Sequence, residues 1–398
     1  MSETCFVTPA AHSPAKALAG VAVRRLALAD FRSYASLDLA VNARLVVLTG
    51  DNGAGKTNLL EALSLLAPGR GLRQAELRDC ARINGGGGFA VSVELETARG
   101  CVRLGTGIEP QRDAPPLRKY RIDREPASSI RGFSEHVRLV WLTPAMDGLF
   151  IGPAGDRRRF LDRLVLAIDA DHGTRVASLE RALRSRNRLL EEGPGADRGW
   201  LDAIEREAAE LAVAVAAARI ETVARLSALI TKTRDKTSPF PWTDIAVRGE
   251  IECLLAIRPA LEAEDIYRGI LRGNRSRDAA AGRTLIGPQA ADLCVRHGPK
   301  QIPAAQASTG EQKALLAGLV LAHTRLTATM SGLTPLVLLD EVAAHFDPVR
   351  RAALFEALET LGGQIWLSGT DRATFGAIEK RALMLNVTPG FVTSGYQG

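Results

Sequence analysis

Residues 50–57, GDNGAGKT, have the types and the spacing of a phosphate-binding loop. In the pattern G-x-x-x-x-G-K-[ST], glycines allow main-chain N–H groups to converge on phosphate oxygens. The lysine reaches the terminal phosphates, and the hydroxyl that follows it binds Mg²⁺. A Gly-rich turn without a ligand is the alternative, but a strand-like run precedes this loop and a helical pattern follows it. The predicted nucleotide-binding residues are Gly50, Asp51, Asn52, Gly53, Ala54, Gly55, Lys56, Thr57 and Asn58.

Two carboxylates follow an apolar run near the C-terminus, in the segment PLVLLDEV at residues 335–342. Such a run is typical of a strand buried in a parallel sheet, and ligands of α/β folds bind at the carboxyl ends of these strands. Asp340 is predicted to hold Mg²⁺ together with Thr57, and Glu341 to orient and polarise an attacking water. The alternative is that the pair only caps the next helix. A phosphate-binding loop elsewhere in the chain favours the catalytic interpretation.

A third segment, ASTGEQKALLAGLVLA at residues 307–322, places a serine directly before a strongly periodic helix. Ser308 can donate its hydroxyl to an anion while the free N–H groups of the helix point the same way. Taken alone, Ser308 with Glu311 three residues later is a capping box, which is the commoner structure. The meaning of the segment therefore depends on the other two motifs.

The surrounding chain is predicted to be α/β, with a helical segment in its middle. Short β-branched runs, among them RLVVLT before the loop, predict strands, and residues 89–140 carry further strand-like runs. From about residue 157 to 233 apolar residues recur at i, i+3 and i+4, which predicts helices. After residue 284 strand and helix patterns alternate again. Residues 1–20 are expected to form a flexible tail.

Composition limits the classes of protein without choosing among them. The 398 residues are long enough for two or three domains, and 46% hydrophobic with 24% charged residues is ordinary for a globular protein. The net charge of +6, carried by 43 Arg and only eight Lys, permits contact with a polyanion but does not require it. Five scattered cysteines predict reduced thiols. The absence of a secretory signal and of a membrane-length apolar run favours a cytoplasmic protein.

The three motifs in this order resemble the ABC-type ATPases, and finer details resemble the RecF family along nearly the whole chain. The segments that carry this second resemblance are LALADFRSY, GDNGAGKTNLLEAL, GDRRRFLDRLV, ASTGEQKALL and LLDEVAAHFDPVRR. The resemblance implies an ABC-type P-loop ATPase head with an inserted, mainly helical second lobe. The head would comprise residues 21–145 and 284–398, and the lobe residues 146–283.

The resemblance also implies an ATP-gated homodimer with slow hydrolysis, using ATP and Mg²⁺. The catalytic residues would be Lys56 and Glu341, and Thr57 and Asp340 would hold the metal. Ser308, Gly310, Glu311 and Gln312 would act on the nucleotide of the partner subunit. Asp347 would lie near that interface, and Arg32 would contact the nucleotide.

By the same resemblance, the partners are double-stranded and gapped DNA and mediators of the RecR and RecO type, without a membrane. The helical segment carries three arginine clusters that could neutralise phosphates, although a solvated helix face is the alternative for each of them. The clusters are Arg157, Arg158 and Arg159; Arg181, Arg184, Arg186 and Arg188; and Arg268, Arg272, Arg275 and Arg277. The chain departs from the family where Gln289 and Ala290 replace a His-Arg pair, and it has no clear glutamine loop. An ABC transporter ATPase subunit and a nucleotide-gated scaffold with negligible turnover are the other functions considered.

Overall fold

Strands and helices alternate along most of the chain, as the sequence patterns predict. The computed structural model describes residues 20–110, 117–195 and 197–394, so the predicted tail lies outside the described residues except for Gly20. The strands, in chain order, are β1 (Ala22–Phe31), β2 (Tyr34–Ala40), β3 (Leu45–Thr49), β4 (Phe89–Thr97), β5 (Gly100–Ile108), β6 (Arg118–Ile122), β7 (Glu125–Ala127), β8 (Leu139–Leu142), β9 (Thr243–Arg248), β10 (Asp292–His297), β11 (Ile302–Pro303), β12 (Leu336–Leu339), β13 (Ile365–Gly369), β14 (Ala382–Thr388) and β15 (Phe391–Ser394). The α-helices are α1 (Lys56–Ser64), α2 (Ala154–Ile168), α3 (His172–Glu191), α4 (Arg198–Lys232), α5 (Glu250–Leu255), α6 (Ala260–Gly273), α7 (Arg275–Ala281), α8 (Thr309–Ser331) and α9 (Pro348–Thr360).

A six-stranded sheet of order β15-β14-β3-β13-β12-β8 forms the centre of the head. Its strands are parallel except for β15 at one edge. Every residue of β3, β8, β12 and β13 is buried, which is why these strands read as continuous apolar runs. The carboxyl ends of β3 and β12 therefore lie on the same edge of the sheet, and they carry the phosphate-binding loop and Asp340, respectively.

One face of this sheet packs on α1 and on a second, antiparallel sheet of order β2-β1-β4-β5-β6-β7. Val46 and Leu48 of β3 join Leu59 and Leu63 of α1 in one cluster with the inward side chains of β1, β4 and β5. The strands predicted between residues 89 and 140 are confirmed in β4, β5 and β8. This packing fixes the direction in which α1 leaves the loop.

The other face of the parallel sheet packs on α2, α8, α9 and the C-terminal part of α4. Helix α4 is 35 residues long. Its last turns, with Leu226, contribute to the cluster of the head, whereas its first turns, with Leu201, pack with α3, α5 and α6 in a separate cluster. The predicted helices between residues 157 and 233 are confirmed, and one of them joins the two clusters.

One strand lies inside the segment that was expected to be helical. Strand β9, in the range 146–283, pairs with β10, in the range 284–398, along six residue pairs. This pairing crosses the boundary expected between residues 283 and 284. Strand β9 is short and is stabilised by a strand that begins about 50 residues later in the chain, so its neighbouring residues do not reveal the partner. In the described part of the chain no helix is long and apolar enough to cross a membrane, and the four cysteines present there are unpaired.

Candidate nucleotide site

The loop after β3 has a backbone that only glycine can adopt at two points. Gly50 has φ 146°, and a methyl group added there would lie 2.2 Å from the carbonyl oxygen of Val387. Gly55 has φ 113°, and a methyl group there would lie 2.9 Å from Ser33 Oγ. Gly55 precedes α1 and offers no side-chain cap, so the first N–H groups of the helix remain available for an anion.

Lys56 lies inside the loop and is only 3% exposed. Its Nζ donates to the carbonyl oxygens of Gly50 and Asp51 at 2.7 and 2.8 Å. It also lies 3.9 Å from Glu341 Oε1. The ammonium is thus held by weak neutral acceptors and one carboxylate, at the place where the loop would surround phosphate oxygens.

Thr57 and Asp340 are in direct contact, although 283 positions separate them in the chain. The Thr57 hydroxyl is 3.0 Å from both carboxylate oxygens of Asp340, which is 5% exposed. Ser368, on β13, donates to Asp340 Oδ1 at 2.6 Å and accepts from the main-chain N–H of Glu341 at 3.0 Å. Because β13 lies between β3 and β12, its serine bridges the two motifs.

The oxygen atoms of Thr57 and Asp340 fit Mg²⁺, which prefers hard oxygen ligands and usually keeps several waters and phosphate oxygens. Within residues 20–110, 117–195 and 197–394 no group of three or more His, Cys, Asp or Glu side chains is placed to hold a metal. A hydroxyl and one carboxylate are therefore a donor set for a metal that shares its ligands with a nucleotide.

A cavity of about 650 Å³ opens beside these residues. Thr57, Asp340 and Glu341 form one wall, and the face of α2 that carries Asp156, Arg159, Phe160 and Arg163 lies among its other walls. This cavity brings the start of the helical segment next to the carboxylates of Asp340 and Glu341.

Arg32 makes its contacts inside the head. Its Nε and Nη2 donate to the fully buried carboxylate of Glu61 at 2.8 and 2.6 Å, and Nη1 donates to the main chain of Asp79. Its neighbour Ser33 accepts from Asn58 Nδ2 at 2.9 Å. The segment borders the loop through Ser33, and contact between Arg32 itself and a nucleotide stays a prediction.

Ser308 begins α8 with a complete capping box, in which its Oγ accepts from the N–H of Glu311 and the Glu311 carboxylate accepts from the N–H of Ser308. Lys300 Nζ lies 2.6 Å from Glu311 Oε1, and this contact is the main cause that lowers the pKa of Glu311 to about 2. The hydrogen bond from the main-chain N–H of Ser308 lowers it further. Gln312 is buried and donates to the carbonyl oxygens of Ala305 and Ala307. Glu311 and Gln312 thus hold the segment in shape, while Ser308 and Gly310 are exposed.

Asp347 begins α9 next to this segment. Its carboxylate accepts from the N–H of Arg350, and this hydrogen bond lowers the pKa of Asp347. A methyl group at Gly310 would lie 3.7 Å from Arg350 Nη1. Asp347, Ser308 and Gly310 therefore lie on one exposed part of the head.

Comparison with known proteins identifies the family. The family model described as "RecF/RecN/SMC N terminal domain" matches residues 22–388. The chain is 53% identical over 370 residues to the DNA replication and repair protein RecF of Mesorhizobium japonicum, covering 93% of this chain and 97% of that protein. It is 52% identical over 373 residues to the protein of the same name from Rhizobium rhizogenes, covering 94% and 98%. The chain belongs to the RecF family.

Solved structures support the same fold. The structure described as the recombination mediator protein RecF-ATP in the RecFOR pathway has a TM-score of 0.83 at 19% identity, covering 97% of this chain and all of that one. An Smc head bound to the C-winged helix domain of ScpA has a TM-score of 0.52 at 13% identity, covering 94% and 98%. The predicted ABC-type ATPase head is confirmed, and the curated RecF relatives are named DNA replication and repair proteins.

Gln289 and Ala290 lie in the short turn before β10. Gln289 Nε2 donates to the carbonyl oxygens of Thr284 and Ile286 at 3.2 and 2.9 Å. The Gln289 side chain thus stabilises the loop of residues 284–289 in which it lies. Asp292, two residues beyond Ala290, pairs with Arg157 at 2.8 Å.

Several arginines predicted to contact DNA have other partners in this RecF-family fold. Arg186 is fully buried and bonded to Glu205 and Asp278 at 3.0 and 2.8 Å, so its assignment to a DNA-binding cluster is wrong. Arg157 is largely covered in its pair with Asp292. The exposed arginines of α3 are those at i, i+3 and i+7, namely Arg181, Arg184 and Arg188.

Proposed function

We propose that this protein is an ATP-dependent DNA-binding protein of recombinational repair and replication-fork maintenance. It closes as a homodimer on ATP, hydrolyses ATP slowly and helps to load recombinase on gapped DNA. The contact of Thr57 with Asp340, beside Lys56 and Glu341, carries this proposal. The names of the RecF relatives, and the solved RecF structure described with ATP, support it.

The nucleotide binds with its phosphates in the loop of residues 50–58. Lys56 exchanges its two loop carbonyl acceptors for phosphate oxygens, which are stronger partners for an ammonium. Thr57 and Asp340 would hold Mg²⁺, which would supply positive charge beside the phosphates. Ser368 keeps the Asp340 carboxylate oriented.

Glu341 acts on the water that attacks the terminal phosphate. It follows Asp340 directly, with φ 55°, and its side chain is 34% exposed where that of Asp340 is buried. The hydrogen bond from the main-chain N–H of Glu341 to Ser368 Oγ holds the backbone of Glu341 in this left-handed conformation. Its carboxylate is thus available to accept a proton from water within reach of the phosphates.

Dimer closure places Ser308 and Gly310 of one subunit over the nucleotide of the other. Both residues are exposed, and the free N–H groups of α8 add an anion-binding helix end. Asp347 lies on the same part of the head. Since each subunit supplies half of each site, the interface is isologous and ATP belongs to it.

DNA binds through exposed arginines of the helical lobe, with α3 as the main candidate, and the protein acts with mediators of the RecR and RecO type in the cytoplasm. The description of the RecF neighbour as a recombination mediator in the RecFOR pathway supports this partnership. A transporter ATPase subunit is not favoured, because the curated relatives are DNA replication and repair proteins.

Light scattering and DNA retention test the proposal together. With ATP and Mg²⁺, the molecular mass measured by light scattering should double, and the protein should retard gapped duplex DNA in a gel-shift assay. The variant Ser308→Arg should bind ATP but stay monomeric, because a bulky cation would occupy the place of the partner's phosphates. Ser276→Arg, which adds the same side chain at an exposed position of α7, should dimerise like the parent. If Ser308→Arg still dimerises on ATP, Ser308 does not lie over the nucleotide of the partner subunit, and this part of the proposal is wrong.

A further inference from the structure

A second, much smaller cavity lies behind the nucleotide cavity. It has a volume of about 20 Å³, which is enough for one particle of the size of a water molecule. It lies where the end of α1, the start of β8 and the last turns of α2 meet. Its lining residues are Ala67, Pro68, Ser134, Val137, Arg138, Leu139, Trp141, Arg163, Leu166 and Ala167.

The polar side chains that line this cavity have unused hydrogen-bond donors. Four buried polar atoms find no hydrogen-bond partner in the part of the chain that the structure describes: Ser134 Oγ, Trp141 Nε1, and Nε and Nη1 of Arg138. Ser134 and Trp141 are each 6% exposed. Most buried polar groups in proteins have a hydrogen-bond partner, so four such atoms around one small cavity, each able to donate, indicate a bound acceptor.

Arg163 adds a second guanidinium. It stacks on the rings of Trp141 and Phe160, with centroid distances of 5.2 and 5.0 Å, and Nη2 donates only to the thioether of Met146. Among the described residues no carboxylate pairs with it. Burial without such a partner lowers the pKa of Arg163 to about 9.

No carboxylate of the described residues lines the cavity to balance these cations. Burial also lowers the pKa of Arg138. Asp169, which acts on Arg138 electrostatically, lies outside the lining and pairs with Arg175. Among these side chains a water molecule could place a proton only on the Ser134 hydroxyl, because the guanidinium and indole N–H groups are donors without an acceptor. An anion satisfies the same donors as an acceptor and offsets the buried charge.

We propose that this cavity binds a small monovalent anion of the chloride class, held by Ser134, Arg138, Trp141 and Arg163. Chloride is close to water in size and accepts several hydrogen bonds at once. The volume excludes a carboxylate side chain or an oxyanion as large as phosphate. Since Arg163 also lines the cavity beside Asp340 and Glu341, the anion holds one wall of the nucleotide cavity in place.

Thermal unfolding of the full-length protein tests the site. At constant ionic strength, replacing sodium gluconate by sodium chloride should raise Tm by about 1–3 °C for each tenfold increase of chloride above its Kd, because the ligand binds the folded state. Arg138→Gln and Trp141→Phe should lose this dependence. Trp141→Phe keeps a ring for Arg163 to stack on and removes the Nε1 donor together with the five-membered ring that carries it. Arg99→Gln removes an exposed arginine outside both proposed binding surfaces and should keep the dependence of the parent.

Bromide decides the location independently of any variant. Crystals of the parent protein grown in sodium bromide should show an anomalous peak between Arg138 and Trp141. A parent protein whose Tm is equal in chloride and gluconate, or a crystal without a peak in this cavity, would overturn the proposal. A chloride dependence that persists in both Arg138→Gln and Trp141→Phe would overturn it as well.

Discussion

At the scale of single residues, Asp340 and Glu341 are neighbours in different environments. Asp340 is buried and receives hydrogen bonds from Thr57 and Ser368. Glu341 keeps a partly exposed side chain, 3.9 Å from the ammonium of Lys56. The first arrangement suits a metal ligand that must not move, and the second suits a base that must reach a water molecule.

This difference predicts the effect of Glu341→Gln. ATP binding should persist, because the amide keeps the shape of the side chain and the loop is unchanged. Single-turnover hydrolysis should fall by about 100-fold or more, since the amide cannot accept a proton. Quenched-flow measurement of ADP formation checks this result.

The matched control is Glu356→Gln, an identical change at an exposed position of α9. It should hydrolyse ATP at the rate of the parent protein. Equal rates for Glu341→Gln and the parent would exclude Glu341 as the base and favour a nucleotide-gated scaffold.

At the scale of elements, α3 shows how one charged helix has two roles. Arg186 faces inward, where it meets Glu205, Asp278, Thr284 and the main chain of Leu271. The arginines at positions 181, 184 and 188 face outward. The helix thus joins α4 and α7 on one side and presents cations on the other.

Arg186→Ala should therefore destabilise the helical lobe strongly. The substitution leaves the buried carboxylate of Asp278 without the cation of Arg186. Glu205 also loses its contact with Arg186 but keeps its contact with Arg275. Loss of one partner from a buried ion pair costs about 3–5 kcal/mol. Urea denaturation followed by circular dichroism measures this loss.

Arg184→Ala, on the exposed face of the same helix, serves as the comparison. Its ion pair with Glu180 spans 3.8 Å at the surface, so its removal should change the free energy of unfolding by about 0.5 kcal/mol or less. Similar stabilities for the two variants would show that the Arg186 network does not support the lobe.

At the scale of the whole molecule, α4 connects the helical lobe to the nucleotide head. Its first turns pack on α3 and its last turns on the head, so the exposed arginines of α3 stand on a rigid extension of the ATPase. If DNA binds at the lobe and the heads close as proposed, this geometry would couple the two events.

The triple variant Arg181→Gln, Arg184→Gln, Arg188→Gln should weaken DNA binding by roughly 10- to 100-fold at moderate salt. The slope of log K against log salt should become less steep by about 3, because three phosphate contacts are lost. Fluorescence anisotropy with gapped duplex DNA at several salt concentrations measures both quantities. ATP-dependent dimerisation should be unchanged, and an unaltered salt slope would exclude α3 as the DNA-binding face.

The sequence by itself determined the phosphate-binding loop, the Asp-Glu strand, the capped α8 and the helical middle of the chain. Each of these depends on neighbouring residues, through glycine conformation, apolar periodicity or capping, and can be read within about twenty positions. Only the tertiary structure decided that Thr57 meets Asp340, that Ser368 bridges them and that Arg32 pairs with Glu61. It also decided that Arg186 is buried and Arg184 exposed, and that β9 pairs with β10. Such contacts join residues far apart in the chain, and their partners are selected by packing and burial, which no local pattern records.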